Sequence, residues 1–388
     1  MLSHSDPLTA AAIAAFAAGD WSAARARFEE IIAAGRAEAE GLAMLATACF
    51  RLDDPVGAHE AADRALAMDA LNLRASLTKA DLLSAQGAKR EANAYYGAVI
   101  AIGGTATDLP GDLAQGVARA RAVRERLAGD MLNLLQSELA DAGYSAAKSP
   151  ARFTHALDIL AGRRQPYFQQ PRAFYYPELP NIQFYPREQF GWLDAVEAAT
   201  GSMTGELSAV LQDDAGFEPY LQTQPGLASR TDYPLVDSMD WSSCFLWKDG
   251  RETENAARCP QTMAALAGAP LCRIPGRSPQ IMFSQLKAGA HILAHVGFVN
   301  TRLICHLPLI VPPGCDFRVG NEVRQWEVGK AWVFDDTIEH EARNTGGRTR
   351  VVLIFDIWRP EINEDEQRLI TTLLETLDAY SPSAAVWE

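Results

Sequence analysis

Histidine is sparse in this chain and unevenly spread. Four of its seven histidines, His291, His295, His306 and His340, fall within about 50 of the 388 residues, where an even spread would put about one. Imidazole is a common ligand for first-row metals. Non-haem iron(II) sites that keep coordination positions open normally use two histidines and one carboxylate. The usual arrangement is His-x-Asp or His-x-Glu on one strand and a second histidine several strands later. His295, in HVG, is the candidate first ligand, and His340, in EHEARN, the candidate second. Two residues after His295, where the carboxylate is expected, stands Gly297. Asp335 and Asp336 precede His340. They either orient a ligand from outside the first shell or cap backbone amides in a turn.

A chelating co-substrate provides an independent check. 2-Oxoglutarate would hold the metal through its 1-carboxylate and keto oxygen. Its far carboxylate then needs a buried cation, ideally beside a hydroxyl. Arg350 heads the run RVVLIFDIW ten residues after His340, and Ser284 lies in PQIMFSQL. If Arg350 points inward, so do Val352 and Ile354. A surface arginine and an ordinary strand serine are the competing readings. His291 reads as a surface or supporting residue, and Trp326 and Trp358 as core or rim packing.

These residues need rigid elements to hold them. From about Pro279 onward, the runs PQIMFSQL, RLICHLPLIV, DFRVG, VRQWEV, KAWVFD and RVVLIFDIW alternate apolar and polar residues at roughly 8–12-residue spacing. They predict an antiparallel sandwich or barrel such as a jelly roll. Residues 188–215 predict helices packed on one sheet.

The N-terminal part has a different texture. Residues 8 to about 104 repeat with a period of 34: turn positions Gly19, Asp53 and Gly87 are followed by Ala24, Ala58 and Ala92, then Phe28, Ala62 and Tyr96, then Ile32, Leu66 and Ile100. A small residue at a helix crossing with a larger one a turn later matches tetratricopeptide repeats. Such arrays commonly present a groove to a peptide or protein, with dimerisation or a passive spacer as the other readings. LAQGVARARAVRERLAG, MLNLLQSELADAG and, after the break at Lys148-Ser149-Pro150, ARFTHALDILAG predict further helices. The predicted divisions are a helical repeat domain over 1–130, connecting helices and linker over 131–172, and a jelly-roll domain over 173–388.

Composition narrows the function classes. The net charge of −14 argues against sequence-independent nucleic-acid or anionic-membrane binding. No run approaches the ~18 apolar residues of a membrane span. The start MLSHSDPLTA lacks the pattern of a secretory signal. Six scattered cysteines form no CxxC pair, which suggests free thiols in a reducing, cytoplasmic setting.

From about Phe174 to Glu364 the sequence resembles the aspartyl/asparaginyl β-hydroxylases. The resemblance rests on FYYPELPNIQFYP, LWKDGRETENAARCPQT, HVGFVNTRLICHLPLIVPPGC, RVGNEVRQWEVGKAWVFDDTIEHEARN and RVVLIFDIWRPEI. It implies an iron(II)- and 2-oxoglutarate-dependent dioxygenase that hydroxylates an Asp- or Asn-type side chain of a peptide or small molecule. His295 and His340 match the family's metal ligands, and Gly297 matches a position where the family also lacks the carboxylate. Ser284 and Arg350 match the residues that hold the far carboxylate of 2-oxoglutarate, and His306 matches a histidine at its other end. Two positions depart. Ile304 replaces an arginine of the animal enzymes, for which Arg302 or Arg318 would have to compensate. Cys259 has Met263 near where a cysteine partner would stand. The alternatives are a 2-oxoglutarate-dependent halogenase, since Gly297 leaves room for a halide, and a non-enzymatic repeat protein with an inactive barrel.

Overall fold

Alanine-rich amphipathic segments separated by left-handed turns build the N-terminal half. In the computed structural model, which describes residues 6–106, 108–212, 216–223 and 233–380, the chain divides into two units, Met1–Arg163 and Arg164–Glu388. The first is a helical solenoid of α1 (Pro7–Ala17), α2 (Trp21–Ala33), α3 (Ala39–Arg51), α4 (Pro55–Met68), α5 (Leu73–Ala85), α6 (Lys89–Thr105), α7 (Gly111–Asp141) and α8 (Ala151–Leu160). The repeat turns Gly19, Asp53 and Gly87 have φ of 74°, 57° and 77°. Glycine enters that region freely and aspartate tolerates it. In two repeats the next residue caps the following helix: Asp20 accepts from Ala23 N at 3.0 Å and Asp54 from Gly57 N at 2.9 Å.

Ala24, Ala58 and Ala92 are at most 1 % exposed, at crossings where a larger side chain would hold the helices apart. Phe28, Ala62 and Tyr96 are buried as expected. The next position differs from expectation. Ile31, Ala65 and Val99 are the buried residues, whereas Ile32, Leu66 and Ile100 are half-buried. A buried helical stripe alternates steps of four and three, so the 34-residue period holds one residue earlier. The two helices expected between residues 112 and 142 are one, because α7 runs unbroken through Gly129 and Asp130.

The second unit contains β1 (Glu218–Pro219), β2 (Trp241–Lys248), β3 (Arg251–Glu252), β4 (Ile281–Leu286), β5 (His291–His295), β6 (Arg302–Ile310), β7 (Cys315–Val319), β8 (Glu322–Gln325), β9 (Trp332–Phe334), β10 (His340–Asn344) and β11 (Arg350–Trp358). The larger sheet runs β1-β2-β4-β11-β6-β9, with β3 on β2, and the smaller runs β5-β10-β7-β8. All named pairings are antiparallel. One face of the larger sheet, with Phe283, Leu303, Leu353 and Phe355, packs on α9 (Leu193–Ala198), α10 (Thr200–Gln212) and α11 (Pro260–Leu266). Its other face, with Leu286, Ile304 and Val352, meets Ile292, Phe317, Val319 and Ala342 of the smaller sheet. Two antiparallel sheets closed over one another in this way are a jelly roll. Trp358 packs with Ile370 and Leu374 of α12 (Glu364–Tyr380), as the sequence suggested.

Each of the six predicted runs contains a strand. Five strands, β1, β2, β3, β5 and β10, went unpredicted, the first three of them before Pro279. β5 (HILAH) and β10 (HEARN) carry too many polar residues to show apolar alternation. The segment before Phe174 already belongs to the second unit: Gln165 N donates to Asn321 Oδ1 at 3.2 Å and Gln170 N to Thr337 O at 2.8 Å.

Candidate metal and co-substrate site

The pairing of β5 with β10 places His295 directly opposite His340, with ring centroids 4.1 Å apart. His295 Nδ1 lies 2.7 Å from Leu293 O and His340 Nδ1 3.1 Å from Ile338 O. A carbonyl only accepts, so each Nδ1 carries the proton and each Nε2 keeps its lone pair. Burial, then the neighbouring His340, depresses the His295 pKa to about 3, and burial depresses His340 to about 4. Both rings are therefore neutral at pH 7, the form that binds metal.

The missing carboxylate has a steric cause. A Cβ on Gly297 would stand 2.2 Å from Asp336 Oδ2. Asp336 occupies that space and is 6 % exposed; Arg302 meets it at 3.3 Å and spans to Asp356 at the same distance. Asp336 Oδ1 is buried without a hydrogen-bond partner among the described residues. Its neighbour Asp335 is committed elsewhere: it pairs with buried Arg359 at 2.8 Å and accepts from Thr337 N at 3.0 Å. Of the two aspartates, Asp335 follows the turn-capping reading and Asp336 faces the histidine pair. Among the described residues no three His, Cys, Asp or Glu side chains converge into a metal cage.

Arg350 is 1 % exposed and points inward, since Val352 and Ile354 pack in the inter-sheet core. No carboxylate pairs with it among the described residues. Its guanidinium donates to Ser284 O at 3.4 Å, its Nε has no partner, and burial pulls its pKa down to about 10. Ser284, 2 % exposed, sits opposite Val352, and Ser243 lies beside it on β2. His306 lines the same interior opposite Ile354, with its Nδ1 unpartnered and burial, then Arg350, holding its pKa well below the usual value. The structure thus gathers all five singled-out residues on the inner walls of one barrel.

Ile304 is in that wall, 7 % exposed in the inter-sheet core. Neither expected substitute for the missing arginine is uncommitted. Arg302 is tied to Asp336 and Asp356, and Arg318 to Glu339 and Glu341. His291 bonds Glu341 at 2.8 Å in that same outer network and takes no part in the histidine pair. Two residues here carried no spacing signal. Trp326, read as packing, lies under Arg350, with Cζ 4.5 Å from its ring centroid. Trp241 sits 6.3 Å from His295 and stacks on Tyr220 at 4.3 Å.

The family model described as aspartyl/asparaginyl beta-hydroxylase matches residues 197–360. An ornithine lipid ester-linked acyl 2-hydroxylase from Rhizobium tropici is 34% identical over 212 residues, 53% of this chain and 70% of that protein. The chain belongs to the aspartyl/asparaginyl β-hydroxylase family. The aspartyl/asparaginyl beta-hydroxylase of Mus musculus is 38% identical over 151 residues, and the Homo sapiens enzyme 37% over the same length. Those matches span 38% of this chain and a fifth (20%) of each mammalian protein. Among solved structures, a tetratricopeptide domain of Arabidopsis OM64 covers 30% of this chain and 92% of its own at 19% identity, with a TM-score of 0.26. A predicted oxalate decarboxylase of Thermotoga maritima covers 31% of this chain and 81% of its own at 13% identity, with a TM-score of 0.21. The described helices include none long and apolar enough to cross a membrane.

Proposed function

We propose that the second unit is an iron(II)- and 2-oxoglutarate-dependent hydroxylase. The observation that carries this reading is one barrel holding two neutral imidazoles whose Nε2 atoms keep their lone pairs and a buried guanidinium without a counter-ion among the described residues. The donor set fits the metal: His295 and His340 would hold it, leaving positions open for co-substrate and oxygen. Arg350 and Ser284 would take the far carboxylate of 2-oxoglutarate, and His306 would face the same ligand. Bound there, iron(II) and 2-oxoglutarate would supply the oxidative decarboxylation that puts a hydroxyl group on an unactivated carbon. The chain's own part is to keep both imidazoles unprotonated, to hold the co-substrate at one end, and to keep Asp336 beside the open positions as an acceptor for bound water.

The substrate we favour is an Asp- or Asn-type side chain of a peptide or small molecule, docked by the helical repeats if it is a protein. A second reading is an acyl chain, as in the name of the Rhizobium tropici relative. Apolar Ile304 in the inner wall and the commitment of Arg302 to two aspartates favour it. The six buried free thiols support a reducing compartment such as the cytoplasm. Succinate release from 2-oxoglutarate, assayed with Asp/Asn peptides and with acyl esters, tests the reading. Stimulation by one class identifies it, and a folded, iron-loaded protein that yields no succinate with or without substrate contradicts the proposal.

A further inference from the structure

A guanidinium buried at 1 % exposure, with no carboxylate partner among the described residues and one long bond to Ser284 O, needs further compensation for the water it has lost. Near Arg350 that compensation is aromatic. Its Cζ lies 4.5 Å from the ring centroid of Trp326, the residue that follows β8. Trp326 is 6 % exposed and is held flat by its neighbours. Its ring lies 5.9 Å from Trp332 at 22° and 5.4 Å from Phe317 at 34°. His306 stands 6.2 Å from it at 26°. Three buried nitrogens of this group, Arg350 Nε, His306 Nδ1 and Trp326 Nε1, have no hydrogen-bond partner among the described residues. Buried polar atoms are rarely left so, and each of the three calls for a partner. Desolvation strengthens a cation–π contact, and tryptophan provides the strongest face.

We infer that Trp326 is a positioning residue for the co-substrate: its indole face holds the Arg350 guanidinium in place in the barrel interior, aimed at the far carboxylate of 2-oxoglutarate. This rests on the function proposed above. A residue that only packs the core would, when changed, disturb ligands at both ends of the pocket alike. A residue that sets Arg350 affects only ligands that reach Arg350.

The test is calorimetric titration of the full chain, loaded with Mn(II) in place of iron, with 2-oxoglutarate and with oxalate. Oxalate chelates the metal in the same manner but has no far carboxylate. Trp326→Met is expected to weaken 2-oxoglutarate roughly tenfold or more, the size of a desolvated cation–π contact, and to leave oxalate unchanged. Trp326→Phe, which restores a π face, is expected to recover most of the loss. Equal weakening of both ligands, no weakening of 2-oxoglutarate, or a phenylalanine variant no better than methionine would overturn the inference. Should the methionine variant not fold, Trp326→Leu, which also lacks a π face, takes its place: weaker 2-oxoglutarate binding at constant oxalate affinity supports the role, and undiminished 2-oxoglutarate affinity ends it. If the native protein binds oxalate but not 2-oxoglutarate, it is the reading of Arg350, and with it the proposed function, that fails.

Discussion

Two histidines and one glycine carry most of the argument at the scale of single residues. With only two imidazoles to hold a metal, His340 has no substitute. Replacing it with alanine is expected to abolish iron binding and 2-oxoglutarate turnover while circular dichroism stays native; retained turnover would remove His340 from the site. Gly297 is fixed by the carboxylate beside it. Gly297→Ala would drive a methyl group to 2.2 Å from Asp336 Oδ2, and such overpacking costs about 1–3 kcal/mol. A lowered Tm is expected, partly recovered when Asp336→Ala is added; an unchanged Tm would show that the aspartate moves freely. The depressed histidines also set a pH window. Between the ordinary histidine pKa of 6.5 and the folded values of about 3 and 4, the metal-free folded state binds fewer protons than the unfolded one. Stability therefore falls as pH is lowered through that window. Urea titrations of metal-free protein from pH 7 to pH 4 should show a smaller drop once both histidines are replaced by glutamine.

Element by element, the repeats make the plainest prediction. Ala58 is 0 % exposed where α3 and α4 cross, so Ala58→Leu should destabilise the helical unit by about 1–3 kcal/mol, read as an earlier thermal transition. This unit was legible because its period, its left-handed turns and its small residues all recur every 34 positions. The apolar strands were legible through alternation. β5 and β10 were not, because their side chains serve the site and the solvent more than the core: His295, His340 and Glu341 interrupt the pattern that marks β4 or β11. The histidines were found by clustering, while the strands that aim them were missed. Trp326 escaped for the opposite reason. An aromatic residue in a strand-rich region reads as packing, and only the placement of β8 shows which cation it covers. Nor could spacing tell Asp335 from Asp336; the commitment of Asp335 to Arg359 does.

For the whole molecule, each unit has its own core, the repeat unit in its helix crossings and the jelly roll between its sheets. The catalytic reading lies entirely within the second. Its central claim is that the histidine pair and Arg350 form one site for a metal and an anionic chelator. The most direct measurement is equilibrium dialysis of 2-oxoglutarate against the full chain, with oxygen excluded, with and without iron(II). Stoichiometric binding that requires iron is predicted, together with its loss in Arg350→Met, which should still bind iron. Iron-independent binding, or binding undiminished when His295 and His340 are both replaced, would contradict the account.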